Sequence, residues 1–286
     1  MPTTAYELTQ PIKRSSCVVF ASPHSGRHYS QAFLSKSVLD KRQIRSSEDA
    51  FVDVLFAAAP RFGAPLLAAN YPRAYVDLNR SIDELDPALI AGVKKMSNNP
   101  RISSGLGVIP RVVSNGRSIY RGTLSRFEAD QRLADIWEPY HSCLQAQLLE
   151  SQSLFGTSIL LDCHSMPHEA ISSVSHAAAG CPDVVLGDRY GAAAEPEIVA
   201  RVEAAFRNAG LVVARNAPFA GAFIAQHYGR PSRGQHVVQI EIDRSLYMNE
   251  KTVEPNGNFD ELKALITQVI ADVTTMGRDG VLLAAE

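Results

Sequence analysis

One stretch of the sequence joins an apolar run to a histidine: Ile159-Leu160-Leu161-Asp162-Cys163-His164-Ser165-Met166. A short apolar run of this kind is typical of a strand that is buried on both faces of a sheet. Two other runs have the same form, since residues 17–21 lead into His24 and residues 237–240 lead into Glu241. In an open α/β sheet, ligands bind at the carboxyl ends of the strands. The three stretches therefore predict one site with two histidines and a glutamate, and a metal ion as its natural centre.

Strands and helices alternate along the rest of the chain. The predicted strands cover residues 17–21, 66–69, 75–78, 158–163, 183–187, 211–214 and 236–242. The predicted helices cover residues 47–60, 125–150, 194–209 and 259–276. Residues 81–122 are rich in Pro, Gly, Ser and Asn, which predicts long loops and short hairpins. The alternation predicts a single α/β domain over residues 1–286, with a mixed, mostly parallel sheet flanked by helices.

Composition and charge exclude several classes of protein. The 286 residues are 45% hydrophobic, which is typical of a globular protein with a core. The net charge is -2 and the basic residues are dispersed, which argues against nucleic acid as a partner. No apolar run is long enough to span a membrane, and the first residues lack the pattern of a signal peptide. The four cysteines have no CxxC spacing, so we expect a reduced, cytoplasmic protein; the oligomeric state is left open.

The predicted site has the residue types of a catalytic zinc ion, which usually binds three protein ligands and keeps a position for water. The candidate histidine ligands are His24 and His164. Either histidine alone would more often be a hydrogen-bonded loop residue, and only the pair at two strand ends favours a metal. For an acidic ligand the sequence offers Glu48, Asp49 and Asp53. Their place at the start of a predicted helix is equally explained by the helix dipole.

Further polar residues near these strand ends indicate roles in chemistry and binding. Glu241 is predicted to act as a general base beside the metal, although an ordinary polar strand face is the alternative. Asp162 is predicted to orient a histidine from behind, with a strand-end residue of no special role as the alternative. Arg73 and Arg80 suit a substrate carboxylate, because a guanidinium group donates two parallel hydrogen bonds; surface arginines are the alternative. Weaker candidates for that task are Arg111, Arg230 and Arg244.

Five blocks of sequence occur in a characteristic order. They are residues 22–26 (Ser-Pro-His-Ser-Gly), 75–80 (Tyr-Val-Asp-Leu-Asn-Arg), 161–166 (Leu-Asp-Cys-His-Ser-Met), 226–231 (Gln-His-Tyr-Gly-Arg-Pro) and 239–248 (Gln-Ile-Glu-Ile-Asp-Arg-Ser-Leu-Tyr-Met). Together they resemble the N-formylglutamate amidohydrolase family, and they span nearly the whole chain. The resemblance implies the phosphorylase/hydrolase-like α/β fold of the zinc carboxypeptidase and aspartoacylase superfamily. It also implies one zinc ion and hydrolysis of an N-formyl or short N-acyl amino acid, with N-formylglutamate as the leading substrate.

The resemblance implies a role for each residue that matches a family motif. The implied zinc ligands are His24, Asp49 and His164. Glu241 matches the general base. Asn79 and Arg80 match a pair that binds a substrate carboxylate, and Arg73 lies near the place of an arginine that polarises the scissile carbonyl.

Two other kinds of function stay compatible with the sequence. An aspartoacylase-like deacylase or a carboxypeptidase uses the same chemistry, but a peptide needs an open cleft whereas a formyl substrate suits a small closed pocket. A non-catalytic metal- or ligand-binding protein on the same scaffold would not need Glu241 or Arg80, and both are present. The expected partner is therefore a small N-acyl amino acid, with neither nucleic acid nor a membrane.

Overall fold

The computed structural model describes residues 4–94, 99–172 and 181–277. In this part of the chain, seven strands form one sheet. They are β1 (Tyr6–Thr9), β2 (Val18–Ser22), β3 (Leu66–Ala69), β4 (Ser158–Met166), β5 (Val184–Gly187), β6 (Val213–Arg215) and β7 (Gln235–Asp243). A separate two-stranded pair consists of β8 (Met248–Asn249) and β9 (Glu254–Pro255).

The sheet is parallel at its centre and mixed at its flanks. Its strand order is β1-β3-β2-β4-β7-β5-β6. Strands β3, β2, β4 and β7 run parallel, β1 is antiparallel to β3, and β5 is antiparallel to β7 and parallel to β6. The prediction of a mixed, mostly parallel sheet is therefore confirmed. In the register of β4 and β7, His164 lies opposite Glu241, so two predicted site residues are neighbours at adjacent strand ends.

Helices cover both faces of the sheet. They are α1 (Gln31–Lys36), α2 (Val52–Leu55), α3 (Pro100–Ser103), α4 (Arg126–Arg132), α5 (Glu138–Phe155), α6 (His168–Ser172), α7 (Pro196–Asn208), α8 (Phe223–Tyr228) and α9 (Phe259–Val273). Residues of α2, α7 and α9 share one buried apolar cluster, and residues of α4, α5 and α8 share another. No helix among the described residues is both long and apolar enough to cross a membrane.

Alternate residues of the central strands face opposite clusters. On β4, Leu161 and Cys163 pack on the side of α7 and α9, whereas Leu160 packs on the side of α5 and α8. By the same alternation His164 and Glu241 project on the side of α5 and α8. The site therefore lies between the carboxyl ends of the central strands and the elements that cover that face.

Two predicted elements near the site are wrong. The helix predicted over 47–60 is only α2, because Phe51 has a left-handed backbone (φ 67°) that separates residues 47–50 from the helix. The N–H of Asp49 instead donates to the carbonyl of His24 at 3.0 Å, which joins this segment to the loop after β2. The strand predicted over 75–78 is a series of turns, and its Asp77 N–H donates to the carbonyl of Val108. In both segments, contacts with distant residues outweigh the local pattern.

The long helix predicted over 125–150 is divided near Pro139. α4 ends at Arg132, a π-helical turn covers Leu133–Trp137, and α5 begins at Glu138 with Pro139 in its first turn. Proline fits a first turn because it has no N–H to donate there. Trp137 is the last residue of the π-helical turn, and its indole N–H donates to the carbonyl of Arg80 at 3.0 Å.

Candidate active site

The three predicted metal ligands lie together at the carboxyl ends of β2 and β4. The Nδ1 atom of His164 is 3.1 Å from Nδ1 of His24 and 3.0 Å from Oδ2 of Asp49. The distance from His24 Nδ1 to the same Asp49 oxygen is 3.4 Å. All three side chains are buried. Gly26 allows the His24 loop to pack closely, because a Cβ there would collide with the carbonyl oxygen of Tyr71.

The donor atoms of this cluster fit a zinc ion. Ligands placed 2.0–2.1 Å from a tetrahedral zinc ion lie about 3.3 Å from one another, which matches the separations between these three atoms. Two imidazole nitrogens and one carboxylate oxygen form a mixed N/O set of the kind zinc prefers. Two Nδ1 atoms at 3.1 Å also need a cation or a proton between them, because their lone pairs would otherwise repel.

A carboxylate stands behind each histidine. His24 Nε2 lies 2.7 Å from Asp77 Oδ1, and His164 Nε2 lies 3.0 Å from Asp162 Oδ2. Each carboxylate accepts the Nε2 proton, which leaves Nδ1 free to bind a metal; metal-binding histidines commonly have such partners. The sequence had indicated this position for Asp162. It gave no such indication for Asp77, because residues 75–78 were interpreted as a regular strand.

Burial and nearby charges have opposite effects on the pKa values of Asp49 and His164 in this cluster. Burial by itself would raise the pKa of Asp49, yet hydrogen bonds with His164 and His24 and the charge of Arg244 hold it well below its usual value. Burial would lower the pKa of His164, but the charge and hydrogen bond of Asp162, together with Asp49, raise it well above its usual value. Positive charge is therefore favoured where these side chains meet, and a divalent cation supplies such charge.

The two other acidic candidates face away from the histidines. Glu48 accepts hydrogen bonds from Arg45 at 2.9 and 3.0 Å and from the hydroxyl of Tyr29 at 3.0 Å. Asp53 pairs with Arg27. Of the three carboxylates that the sequence offered, only Asp49 reaches the cluster.

Arg244 holds the second oxygen of Asp49. Its Nη2 atom donates to Asp49 Oδ1 at 2.8 Å, and its Nε atom donates to the hydroxyl of Ser165 at 3.2 Å. The arginine thus turns Asp49 Oδ2 toward the histidines. The sequence had offered Arg244 only as a weak candidate for binding substrate, because no spacing pattern links it to a residue 195 positions earlier.

Glu241 lies beside the cluster on β7. Its Oε1 atom accepts a hydrogen bond from the side chain of Gln239 at 2.8 Å. Burial is the main cause that raises the pKa of Glu241 to about 7; the charge of His164 opposes the rise and that of Asp49 adds to it. A carboxylate with a pKa near neutrality can accept a proton and return it, which is what a general acid–base group must do.

The predicted substrate-binding residues line the same cleft. Arg73 donates to Asp77 Oδ2 at 3.0 Å, and the charges of Asp77, Asp49 and Glu241 outweigh burial and raise its pKa. Arg80 donates only to backbone carbonyls, from Nη1 at 2.7 Å and from Nε at 3.1 Å. Within the described residues, its Nη2 atom has no hydrogen-bond partner and its charge has no ion pair.

Asn79 connects the cluster to α8. Its Oδ1 atom accepts the N–H of Ile224 at 2.8 Å, and its Nδ2 atom lies 3.1 Å from His164 Nε2 and 3.4 Å from Asp162 Oδ2. Both polar ends of the side chain therefore contact protein. A contact between Asn79 and a substrate stays a prediction.

The cleft has a volume of about 590 Å³, within the usual range of roughly 300–1,000 Å³ for small-molecule sites. One wall carries the charged residues described above. Another is formed by residues of the segments 104–116 and 218–222, including Leu106, Val112 and Val113. The cleft therefore offers room for a small polar molecule next to the buried cluster.

Comparisons with known proteins show which family this chain resembles. A family model described as N-formylglutamate amidohydrolase matches residues 16–248. A protein of Pseudomonas aeruginosa named N-formylglutamate deformylase is 30% identical over 271 residues, which is 92% of this chain and 94% of that protein. A protein of Pseudomonas putida with the same name is 32% identical over 257 residues, covering 88% of each chain.

A solved structure extends the likeness to three dimensions. The crystal structure of N-formylglutamate amidohydrolase from Ralstonia eutropha JMP134 has a TM-score of 0.90 and 35% sequence identity, and the match covers 97% of this chain and 99% of that one. A structure from Agrobacterium tumefaciens, at 15% identity and a TM-score of 0.64, shares the fold. Since the family model covers most of the chain and the alignments span nearly all of it, the chain belongs to the N-formylglutamate amidohydrolase family.

Proposed function

We propose that this protein hydrolyses the formamide bond of N-formylglutamate to give formate and glutamate. The observation that carries the proposal is the position of Glu241 beside the buried cluster of His24, Asp49 and His164, in a cleft that Arg80 also lines. The names of the relatives in Pseudomonas support the choice of substrate.

His24, Asp49 and His164 would hold one zinc ion. Their donor atoms all lie within 4.8 Å of one another, and all three residues are buried. When bound, zinc supplies Lewis acidity, which polarises a carbonyl group and activates water near neutral pH. Asp77 and Asp162 keep the two histidines oriented by accepting their Nε2 protons.

In this mechanism Glu241 moves the proton. Its carboxylate accepts a proton from the attacking water and then donates it to the nitrogen of the leaving glutamate, so that a neutral amine departs. Gln239 holds one oxygen of Glu241, which leaves the other to reach the water. The guanidinium of Arg73 stabilises the negative charge that develops on the formyl oxygen.

Arg80 and Asn79 position the substrate in the proposal. Arg80 would bind the α-carboxylate, because a guanidinium offers two parallel hydrogen bonds to such a group. For Asn79 to contact the same carboxylate, its amide would have to exchange a protein partner for the substrate.

We also propose that the protein is located in the cytoplasm and that its domain extends over residues 1–286.

The test measures zinc content and formate release on the purified protein. We expect one zinc ion per chain, and faster release from N-formylglutamate than release of acetate from N-acetylaspartate or of glutamate from a peptide. Glu241→Gln should keep its zinc and lose about 10²- to 10⁴-fold in rate, the usual contribution of a general base. Unchanged turnover in a zinc-loaded Glu241→Gln variant would remove Glu241 from the mechanism. Faster cleavage of N-acetylaspartate or the peptide would replace the proposed substrate.

A further inference from the structure

Four arginines line the cleft, and they differ in their partners. Arg73 pairs with Asp77 at 3.0 Å, and Arg244 pairs with Asp49 at 2.8 Å. In the parts of the chain that the structure describes, neither Arg80 nor Arg101 has an ion pair. Among the residues that the structure describes, the cleft thus contains two arginines that form no ion pair with a carboxylate.

The backbone that carries Arg101 is connected to the side chain of Arg80. Arg101 lies on α3, and its carbonyl accepts the N–H of Leu106 at 2.8 Å. The carbonyl of Leu106 in turn accepts the Nε proton of Arg80 at 3.1 Å. One residue therefore connects the segment that carries Arg101 to the guanidinium of Arg80.

The charges of Arg80 and Arg101 act on each other. Burial lowers the pKa of Arg80, and the nearby charges of Arg73 and Arg101 lower it further, while those of Asp77 and Glu84 oppose the change. Glu84 lies beyond ion-pair distance and accepts hydrogen bonds from Ser81 and Asn99 instead. Two like charges that share a cleft repel each other unless anionic groups bind to them.

We propose that Arg101 determines the specificity of the site by binding the side-chain carboxylate of an N-formyl dicarboxylic amino acid. The inference rests on the proposed function and deepens it. Such a substrate carries two carboxylates, and the cleft has two arginines without ion pairs. Arg80, which is buried and directly follows Asn79, a neighbour of His164, takes the α-carboxylate, and the exposed Arg101 takes the γ-carboxylate. The methylene groups between them pack on the apolar wall formed by Val112 and Val113.

The first experiment compares substrates that differ only in side-chain charge. Arg101→Gln should reduce kcat/KM for N-formylglutamate by about 10- to 100-fold, the loss of a hydrogen bond between charged groups. The loss should appear in KM with kcat nearly unchanged, since Arg101 acts far from the reacting bond. N-formylglutamine, which lacks the charge, should react equally well with wild type and variant. Arg42→Gln, at an exposed arginine outside the cleft, is the matched control and should behave as wild type.

A second measurement does not depend on turnover. Wild-type protein should bind glutarate more tightly than its monoamide in calorimetry, and Arg101→Gln should bind the two equally. Equal losses on N-formylglutamate and N-formylglutamine, or an unchanged glutarate preference in Arg101→Gln, would overturn the role of Arg101. Absence of formate release by the wild type with this glutarate preference intact would instead overturn the proposed reaction and leave the dicarboxylate site standing.

Discussion

Asp49 and Glu48 are neighbours in the sequence, but their side chains have different surroundings. The pattern of residues could not distinguish them, since they are adjacent carboxylates at the start of a predicted helix. The two carboxylates differ in the arginine that each one binds. Arg45 binds Glu48 from three residues away, and Arg244 binds Asp49 from 195 residues away. The local pair can be found in a sequence, whereas the distant one exists only after β7 has joined the sheet.

This difference predicts opposite results for two adjacent substitutions. Asp49→Asn should lose bound zinc, because a neutral amide oxygen replaces the charged ligand next to the histidines. Partners outside the ligand set alone change metal affinity by about 10- to 100-fold, so loss of a ligand should exceed that range. Glu48→Gln should retain zinc near the wild-type level. The measurement is zinc per chain after dialysis, with circular dichroism as the check on folding, and retention by Asp49→Asn with loss by Glu48→Gln would reverse the assignment.

At the scale of elements, His141 joins α5 to the site. Its Nε2 atom donates to the carbonyl of Leu78 at 2.9 Å, and its Nδ1 atom accepts the hydroxyl proton of Tyr228 on α8 at 2.9 Å. The ring also packs against Trp137, with 4.0 Å between ring centroids. One buried histidine thus connects α5, α8 and the segment that carries Asn79 and Arg80. No sequence pattern indicated this role, because His141 has no ligand-like spacing to another residue.

The burial of His141 predicts a pH dependence of stability. Burial lowers its pKa to about 3, so the folded protein disfavours protonation, and the stabilisation is complete above the unfolded value near 6.5. Below pH 6.5 this contribution falls by about 1.4 kcal/mol per pH unit until the folded pKa is reached. His141→Gln should therefore be less stable than wild type at pH 7.5. The difference in free energy of unfolding between the two proteins should be smaller at pH 5. Urea unfolding at both pH values measures it, and a constant gap would show that His141 is not neutral when buried.

His168 provides a control for the same experiment, because its contribution to stability should depend on pH in the opposite direction. A hydrogen bond with Asp243 raises its pKa, so its contribution is present below the unfolded value and is lost as the pH rises. His168→Gln should therefore differ from wild type more at pH 5 than at pH 7.5. A narrowing gap in both variants would indicate a general effect of acid instead of the burial of His141.

The elements that the sequence predicted well are those with a strong internal pattern. The buried apolar runs became β2, β4 and β7, and the amphipathic pattern at 259–276 became α9. The failures lie at residues 47–60 and 75–78, which contain Asp49 and Asp77. These segments follow the geometry of the site and not their own propensity, because their side chains and N–H groups bind partners on other strands and loops. Local rules are expected to fail where residues are held for function.

At the scale of the whole molecule, zinc should contribute to stability. Its proposed ligands come from the loop after β2, the segment before α2 and the end of β4, so the ion would bind the folded chain and not the unfolded one. A ligand present at about 1,000 times its dissociation constant adds about 4.1 kcal/mol to folding. Removing zinc with a chelator should lower Tm by several degrees, and adding zinc back should restore it. An unchanged Tm after verified removal of zinc would contradict this coupling, and the Asp49→Asn variant should not respond to either treatment.

The distance along the chain between His24 and His164 has a consequence for synthesis on the ribosome. The two histidines are 140 residues apart, and Glu241 follows 77 residues after His164. A growing chain therefore exposes its first histidine long before the second is made, and β2 cannot pair with β4 until that strand has left the exit tunnel. With His24, Asp49 and His164 as the proposed ligands, a nascent chain lacks a complete metal site until β4 has emerged. The proposed zinc ion can therefore be acquired only after the chain has been made beyond β4, so the supply of zinc should affect the yield of active enzyme without affecting the rate at which the polypeptide is made.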